Sequence, residues 1–178
     1  MATPQHEIII VPAPGQPGFE ELRQQCYDVR IEVFHREQGF PLETEVDEFD
    51  DAATHFLLRL TPSMQPIGTI RCVRGPHGAY YKLTRLAILH GFRKHRFGRA
   101  LVLALHDYIR TDVRARAAAA AAPGPAGSPE PTSVTVVCSS QLPAKGFYAK
   151  FGYVAEGDEY DDEGEPHQKM VARLSLSD

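Results

Sequence analysis

The stretch Leu86–Leu105, LAILHGFRKHRFGRALVLAL, constrains this chain more than any other. An apolar, strand-like run ends at Leu89, a basic segment follows, and an amphipathic helical pattern opens near Gly98. Leu101, Leu105 and Ile109 recur at i, i+4 and i+8, and Val102 and Tyr108 widen the same face. A strand that turns into a helix N-terminus offers an anion site: the first helical N–H groups lack intrahelical acceptors and the dipole is positive there. Arg93, Lys94, Arg96 and Arg99 crowd that positive end, which disfavours each exposed cation by roughly 0.3–1 kcal/mol. A bound polyanion reverses the sign; a solvated basic start with arginine stems lying over apolar surface is the alternative. The P-loop pattern and the G-x-G-x-x-G fingerprint are both absent. The anion is therefore expected to be a phosphorylated cofactor other than a nucleoside triphosphate or NAD.

The rest of the chain reads as a single domain. It has 178 residues, 43% of them hydrophobic and 24% charged, with a net charge of −4. A local basic cluster on a mildly acidic chain argues against general affinity for nucleic acid or membrane. No run approaches the ~20 apolar residues of a membrane span. Three widely spaced cysteines form neither a disulfide framework nor a metal-ligand pattern. With no leader-like N-terminus, a cytoplasmic location is expected, the nucleus being left open.

Strand-like runs fall at 7–11, 55–60, 67–74, 80–89 and 134–140, and a closing hairpin follows 153. A first helix begins at Phe19, with Leu22, Cys26, Val29 and Val33 on its buried face and Gly39 and Pro41 ending it. A short helix ends at Gly152. Between the second long helix and the strand at 134, the segment of about 115–132 is Ala-rich and then Pro/Gly/Ser-rich. It is expected to be a flexible insertion, although its alanines favour helix. Acidic residues gather at 43–51 and 156–165. Carboxylates at an entrance would concentrate a cationic amine, with an amino sugar such as glucosamine favoured and a polyamine-like amine second.

The segment Arg93-Lys94-His95-Arg96-Phe97-Gly98 resembles the R/Q-x-x-G-x-G/A motif of the GNAT-superfamily acetyltransferases, with Arg96 where the first glycine is usual. The order of VFHREQ (33–38), Glu45-x-Asp47 and Pro166-His167-x-x-Met170 is similar to the small ElaA/YjcF-like branch. SSQLPAKGFYAKFGY (139–153) resembles the superfamily's later motif. Together they cover nearly the whole chain apart from the insertion. The resemblance implies one acetyltransferase domain of the α+β (mixed α/β) class: a splayed mixed sheet of about seven strands flanked by about four helices. It also implies acetyl-CoA as cosubstrate, wedged between the strands ending near Leu89 and Ser139.

It further implies roles for named residues. The diphosphate is expected on backbone N–H groups from His95 through Arg96, Phe97 and Gly98 to Arg99, with Arg93, Lys94 and Arg99 as charge partners. The pantetheine arm is expected on the backbone of Ile88 and the side chain of Gln141. Tyr148 falls where relatives protonate the departing thiolate. Glu37 is a candidate general base, an ordinary helix-end carboxylate being the alternative. His167 is a second candidate, since a neutral imidazole suits a base near pH 7. Glu45, Asp47 and His55 are candidate acceptor contacts. Direct attack by the amine needs no covalent enzyme, so Cys138 is not expected to be a nucleophile. A non-catalytic acyl-CoA-binding module on the same fold stays open, as does a phosphate-binding domain without CoA. No metal is expected, and the assembly is left open, with a homodimer as one reading.

Overall fold

The computed structural model describes residues 3–120 and 131–177. Its strands are β1 (His6–Ile10), β2 (Thr54–Leu60), β3 (Pro66–Arg74), β4 (Tyr81–Ile88), β5 (Ser133–Gln141), β6 (Val154–Asp162) and β7 (Glu165–Ser175). Its α-helices are α1 (Phe19–Arg30), α2 (Phe97–Ala120) and α3 (Lys145–Ala149), and a π-helical segment, Ile31–Glu37, continues α1. The seven strands form one sheet, the mixed α/β class that the motifs implied. Two compact units make up the chain: Met1–Val73 with Leu83–Leu105, and Arg74–Lys82 with His106–Asp178. Among the described residues no helix is long and apolar enough to cross a membrane.

In the first unit the strands run in the order β1-β2-β3-β4. Strand β2 is antiparallel to both β1 and β3. Helix α1 follows Gly18, whose φ of 84° is left-handed and suits glycine. Glu20 and Glu21 lie in the first turn, where the dipole favours them. The expected face is the buried one: Cys26, Val29 and Val33 are at most 3% exposed. Cys26 packs with Val11, Phe19 and Leu57, and Val29 and Val33 pack with Ala87. Beyond Arg30 the helix widens to π geometry and closes with Gln38 N–H donating to the Val33 carbonyl at 3.1 Å. Periodicity gives the extent of this helix but not its change of pitch.

Strand β3 is buried on both faces from Ile67 to Cys72. Gly68 leaves room for this packing, since a Cβ would lie 2.6 Å from Ile88 Cδ1 and 3.3 Å from Leu101 Cδ1 and those side-chain ends would have to shift. Arg71 nevertheless sits inside this strand at 3% exposure. Its Nη1 and Nη2 donate to Asp47 Oδ1 and Oδ2 at 2.7 and 2.9 Å. Nη1 also lies 2.8 Å from Asp50 Oδ1. From α1, Arg30 donates to the two Asp50 oxygens at 2.7 and 3.3 Å. Asp50 Oδ2 accepts the Asp47 N–H at 2.8 Å. The loop between the π-helical segment and β2 is thus clasped by its carboxylates onto buried guanidinium groups.

In the second unit β7 is antiparallel to both β5 and β6. Alternation along β5 buries Val134, Val136 and Cys138 and turns Thr135, Val137 and Ser139 to the other face. His106 on α2 stacks on Tyr153 and shares a 2.8 Å hydrogen bond with its hydroxyl. Burial lowers the His106 pKa to about 4. Tyr81 donates to Asp112 at 2.6 Å. Alanine propensity carries α2 on to Ala120. The first residues of the expected insertion at 115–132 are therefore helical, while 121–130 lie outside the described residues.

Asp50→Asn should cost about 3–5 kcal/mol of stability, because it leaves buried guanidinium groups uncompensated; urea unfolding checks this. Burial tends to raise the Asp50 pKa, but the Asp47 N–H and the Arg30 guanidinium outweigh it and hold the carboxyl at about 2. The folded value is thus below the unfolded value of ~3.9. The stability that Asp50 contributes is complete above that value and is lost as pH falls toward 2, a steepening that Asp50→Asn should remove.

Candidate active site

Helix α2 starts as the basic segment requires. Residues His90–His95 form a 3-10 turn, Arg96 follows, and the first α-helical bond runs from Ala100 N–H to the Arg96 carbonyl at 3.1 Å. The N–H groups of Phe97, Gly98 and Arg99 precede that bond and have no intrahelical acceptor. Phe97 itself is buried at 1% exposure against His6 and His95. Its side chain therefore anchors the turn, and only its backbone is available to a ligand. Lys94, Arg96 and Arg99 are exposed. Their charges and the free N–H groups fit a diphosphate.

Arg93 is differently placed. Its Nη1 and Nη2 each donate to one Glu37 carboxylate oxygen at 2.6 Å, and its Nε donates to the Ile88 carbonyl at 3.0 Å. In this structure the fork is filled by Glu37, so a diphosphate would have to share Arg93 with that carboxylate. The same contact alters Glu37. The hydrogen bonds from Arg93 hold its carboxyl below the usual carboxylate range. A carboxylate so paired is a poor proton acceptor, which counts against Glu37 as general base. The backbone of Ile88, expected on the pantetheine arm, already gives its carbonyl to Arg93.

The acidic loop is the larger departure from expectation. Glu45 is 3% exposed, with its Oε2 3.7 Å from Arg30 Nε. Asp47 is held by Arg71 and by Arg85, whose Nη2 lies 3.3 Å from Oδ2. His55 is 2% exposed, and its Nε2 meets the Asp50 carbonyl at 2.8 Å. A carbonyl only accepts, so Nε2 carries the proton, and burial lowers the ring's pKa. These three candidate acceptor contacts are occupied inside the first unit. They do not form a solvated rim for a cationic amine.

In the second unit, Tyr148 on α3 is 8% exposed and packs edge-on to Phe147 and Tyr153. Burial first, and then the nearby Cys138 sulfur, raise the phenol pKa well above its ordinary value. Tyr148 therefore stays protonated at all moderate pH. Burial pushes the Cys138 thiol up to about 12, so it is no nucleophile near neutrality. At the end of β5, Gln141 lies in register with His167 of β7, and His167 with Tyr160 of β6. His167 Nδ1 meets the Glu165 carbonyl at 2.9 Å, and its ring stacks on Tyr160. The carbonyl fixes the proton on Nδ1 and leaves Nε2 as the basic nitrogen of the neutral ring. Tyr160 also hydrogen-bonds Ser139 through its hydroxyl. Sequence reasoning missed Ser139 and Tyr160; the signal for Ser139 was the two-residue period of β5.

Comparison with known proteins identifies the family and the fold. The profile of an acetyltransferase (GNAT) domain matches residues 29–121. The N-acetyltransferase YjcF of Bacillus subtilis (strain 168), itself uncharacterized, is 31% identical over 153 residues, spanning 85% of this chain and 93% of YjcF. The chain belongs to the GNAT acetyltransferase family. Two solved structures share its fold. Escherichia coli ElaA superposes with a TM-score of 0.66 at 16% identity, covering 94% of this chain and 98% of ElaA. Tetrahymena GCN5 superposes with a TM-score of 0.68 at 12% identity, covering 97% and 98%. Membership makes the protein an acyltransferase that uses an acyl-CoA.

Arg96, at this GNAT protein's unusual position, keeps the backbone that glycine would give: φ is 62° and ψ is 17°. The loop keeps its left-handed turn, and the cost is strain rather than a changed shape. That penalty of about 1–2 kcal/mol exceeds the ~0.5–1 kcal/mol of chain entropy that glycine brings. Arg96→Gly should therefore raise stability by roughly 0.5–1 kcal/mol, and Arg96→Val, β-branched and strained, should lower it; urea midpoints for the two variants check the sign.

Proposed function

We propose that this protein is a single-domain N-acetyltransferase that moves the acetyl group of acetyl-CoA to the primary amine of a small molecule. The observation that carries the reading is Tyr148, a phenol at the family's proton-donor position that burial keeps loaded. The diphosphate is assigned to the N–H groups of Phe97, Gly98 and Arg99, with Lys94, Arg96 and Arg99 as its cations. Gln141 and the backbone of Ile88 are assigned to the pantetheine arm.

Transfer proceeds by direct attack. The amine nitrogen forms a bond to the thioester carbonyl carbon, and the carbon–sulfur bond breaks. His167 Nε2 takes the proton that the amine loses, a role that Glu37, tied to Arg93, fills poorly. Tyr148 gives its hydroxyl proton to the departing thiolate and regains one from solvent. An amino sugar is the favoured acceptor and a polyamine-like amine the second, the exposed carboxylates from Glu156 to Glu165 being the attraction for either.

Thiol release from acetyl-CoA, measured across amino sugars, polyamines, amino acids and peptides, tests the reading. Release above the buffer rate with at least one small amine is expected, and none with any amine would sink it. Tyr148→Phe should lower kcat by about 100-fold and leave the Kd for CoA unchanged. Because the Tyr148 pKa is raised, kcat should show no descending alkaline limb below the ordinary phenol value of ~10.

A further inference from the structure

One face of the second unit holds a groove that no role above uses. Its volume is about 680 Å³, within the range of roughly 300–1,000 Å³ typical of small-ligand sites. Val137 of β5 and Val171 of β7 form its apolar floor. Lys82, Lys169 and Arg173 line it with one carboxylate, Glu156. Glu156 is spoken for: its Oε1 accepts from Lys169 Nζ at 2.8 Å. Lys82 and Arg173 have no acidic partner among the described residues. At the Ser139 end stand the paired hydroxyls of Ser139 and Tyr160, the latter stacked on His167.

We infer that this groove holds the anionic end of the acceptor, a phosphate or carboxylate bound by Lys82 and Arg173. This rests on the acetyltransferase reading and narrows it to amines that carry a negative group. A guanidinium and an ammonium without carboxylate partners are an unbalanced charge, and a tetrahedral or planar oxyanion completes both. The Ser139 and Tyr160 hydroxyls suit the neutral polar body of such a molecule. The valine floor suits its carbon skeleton. The acceptor class that fits is an amine with an acid group at its far end.

Calorimetry with saturating CoA tests this, using glucosamine, glucosamine 6-phosphate and glucosaminate as probes. At least one anionic probe should bind about tenfold or more tightly than glucosamine, as a charge-assisted contact requires. The tighter of the two identifies phosphate or carboxylate as the group recognised. In Lys82→Gln/Arg173→Gln the preference should fall to near parity, and Arg173→Lys should retain part of it. Circular dichroism establishes that each variant is folded. Equal affinities in the wild type, or a preference that survives the double variant, would overturn the inference. Thiol release, read in parallel, separates the two proposals. Anion preference without release removes only the transferase step, and release with no anion preference removes only the groove assignment.

Discussion

Asp50 is the point on which the first unit depends. Its two oxygens receive Arg30 from helix α1, Arg71 from strand β3 and the backbone of its own loop. All three residues are at most 3% exposed. A buried ion pair is favourable only when geometry and additional hydrogen bonds offset desolvation of both partners. Here additional hydrogen bonds join the pairs: Asp47 receives Arg71, the Asp50 carbonyl meets His55, and Arg71 reaches Thr84 at 3.1 Å. The loop is consequently an internal strut. Helix, loop and strand take their mutual positions from it as much as from the apolar contacts of Cys26 and Val33.

This arrangement decides which charges face a ligand. A run rich in Glu and Asp looks like a cation attractor only while its partners are unknown. Once Arg30, Arg71 and Arg85 are counted, Glu45, Asp47 and Asp50 are neutralised from within and project little field outward. Exposed cations lie at Lys94, Arg96 and Arg99 around the start of α2 and at Lys82 and Arg173 in the second unit's groove, while exposed carboxylates concentrate on β6 and its turn, from Glu156 to Glu165. A protein of net charge −4 thus presents its acidic excess on that strand and not on the loop that Arg30 and Arg71 hold.

The sequence was most legible where the physics is local. The face Leu22-Cys26-Val29-Val33, the face Leu101-Leu105-Ile109 and the strand runs all follow from side-chain periodicity, and the structure keeps them. The family was legible in motif order. The ion pairs were not, because nothing local ties Glu37 to Arg93 across 56 residues. Two signals were present all the same. Arg30 lies four residues beyond Cys26 and three before Val33, on the apolar face, so it demanded a buried partner. Arg71 interrupts IGTIRCV, a run otherwise fit for burial on both faces, and made the same demand. An acidic loop of otherwise unexplained density was the available answer to both.

The pairing of Arg93 with Glu37 has a consequence for the coenzyme site. Arg93 uses both terminal nitrogens on one carboxylate and its Nε on the Ile88 carbonyl. It therefore fastens the end of the π-helical segment to the end of β4 and to the 3-10 turn that it belongs to. In the proposed coenzyme site, attraction for a diphosphate then rests mainly on the helix N–H groups and on Lys94, Arg96 and Arg99. Those N–H groups point usefully only if the chain reverses sharply before Phe97, and the reversal is Arg96 in the left-handed region. A glycine would make the turn more cheaply but would bring no charge. At this position the chain accepts about 1–2 kcal/mol of backbone strain and gains a cation at the mouth of the proposed anion site, where Arg93 is shared with Glu37.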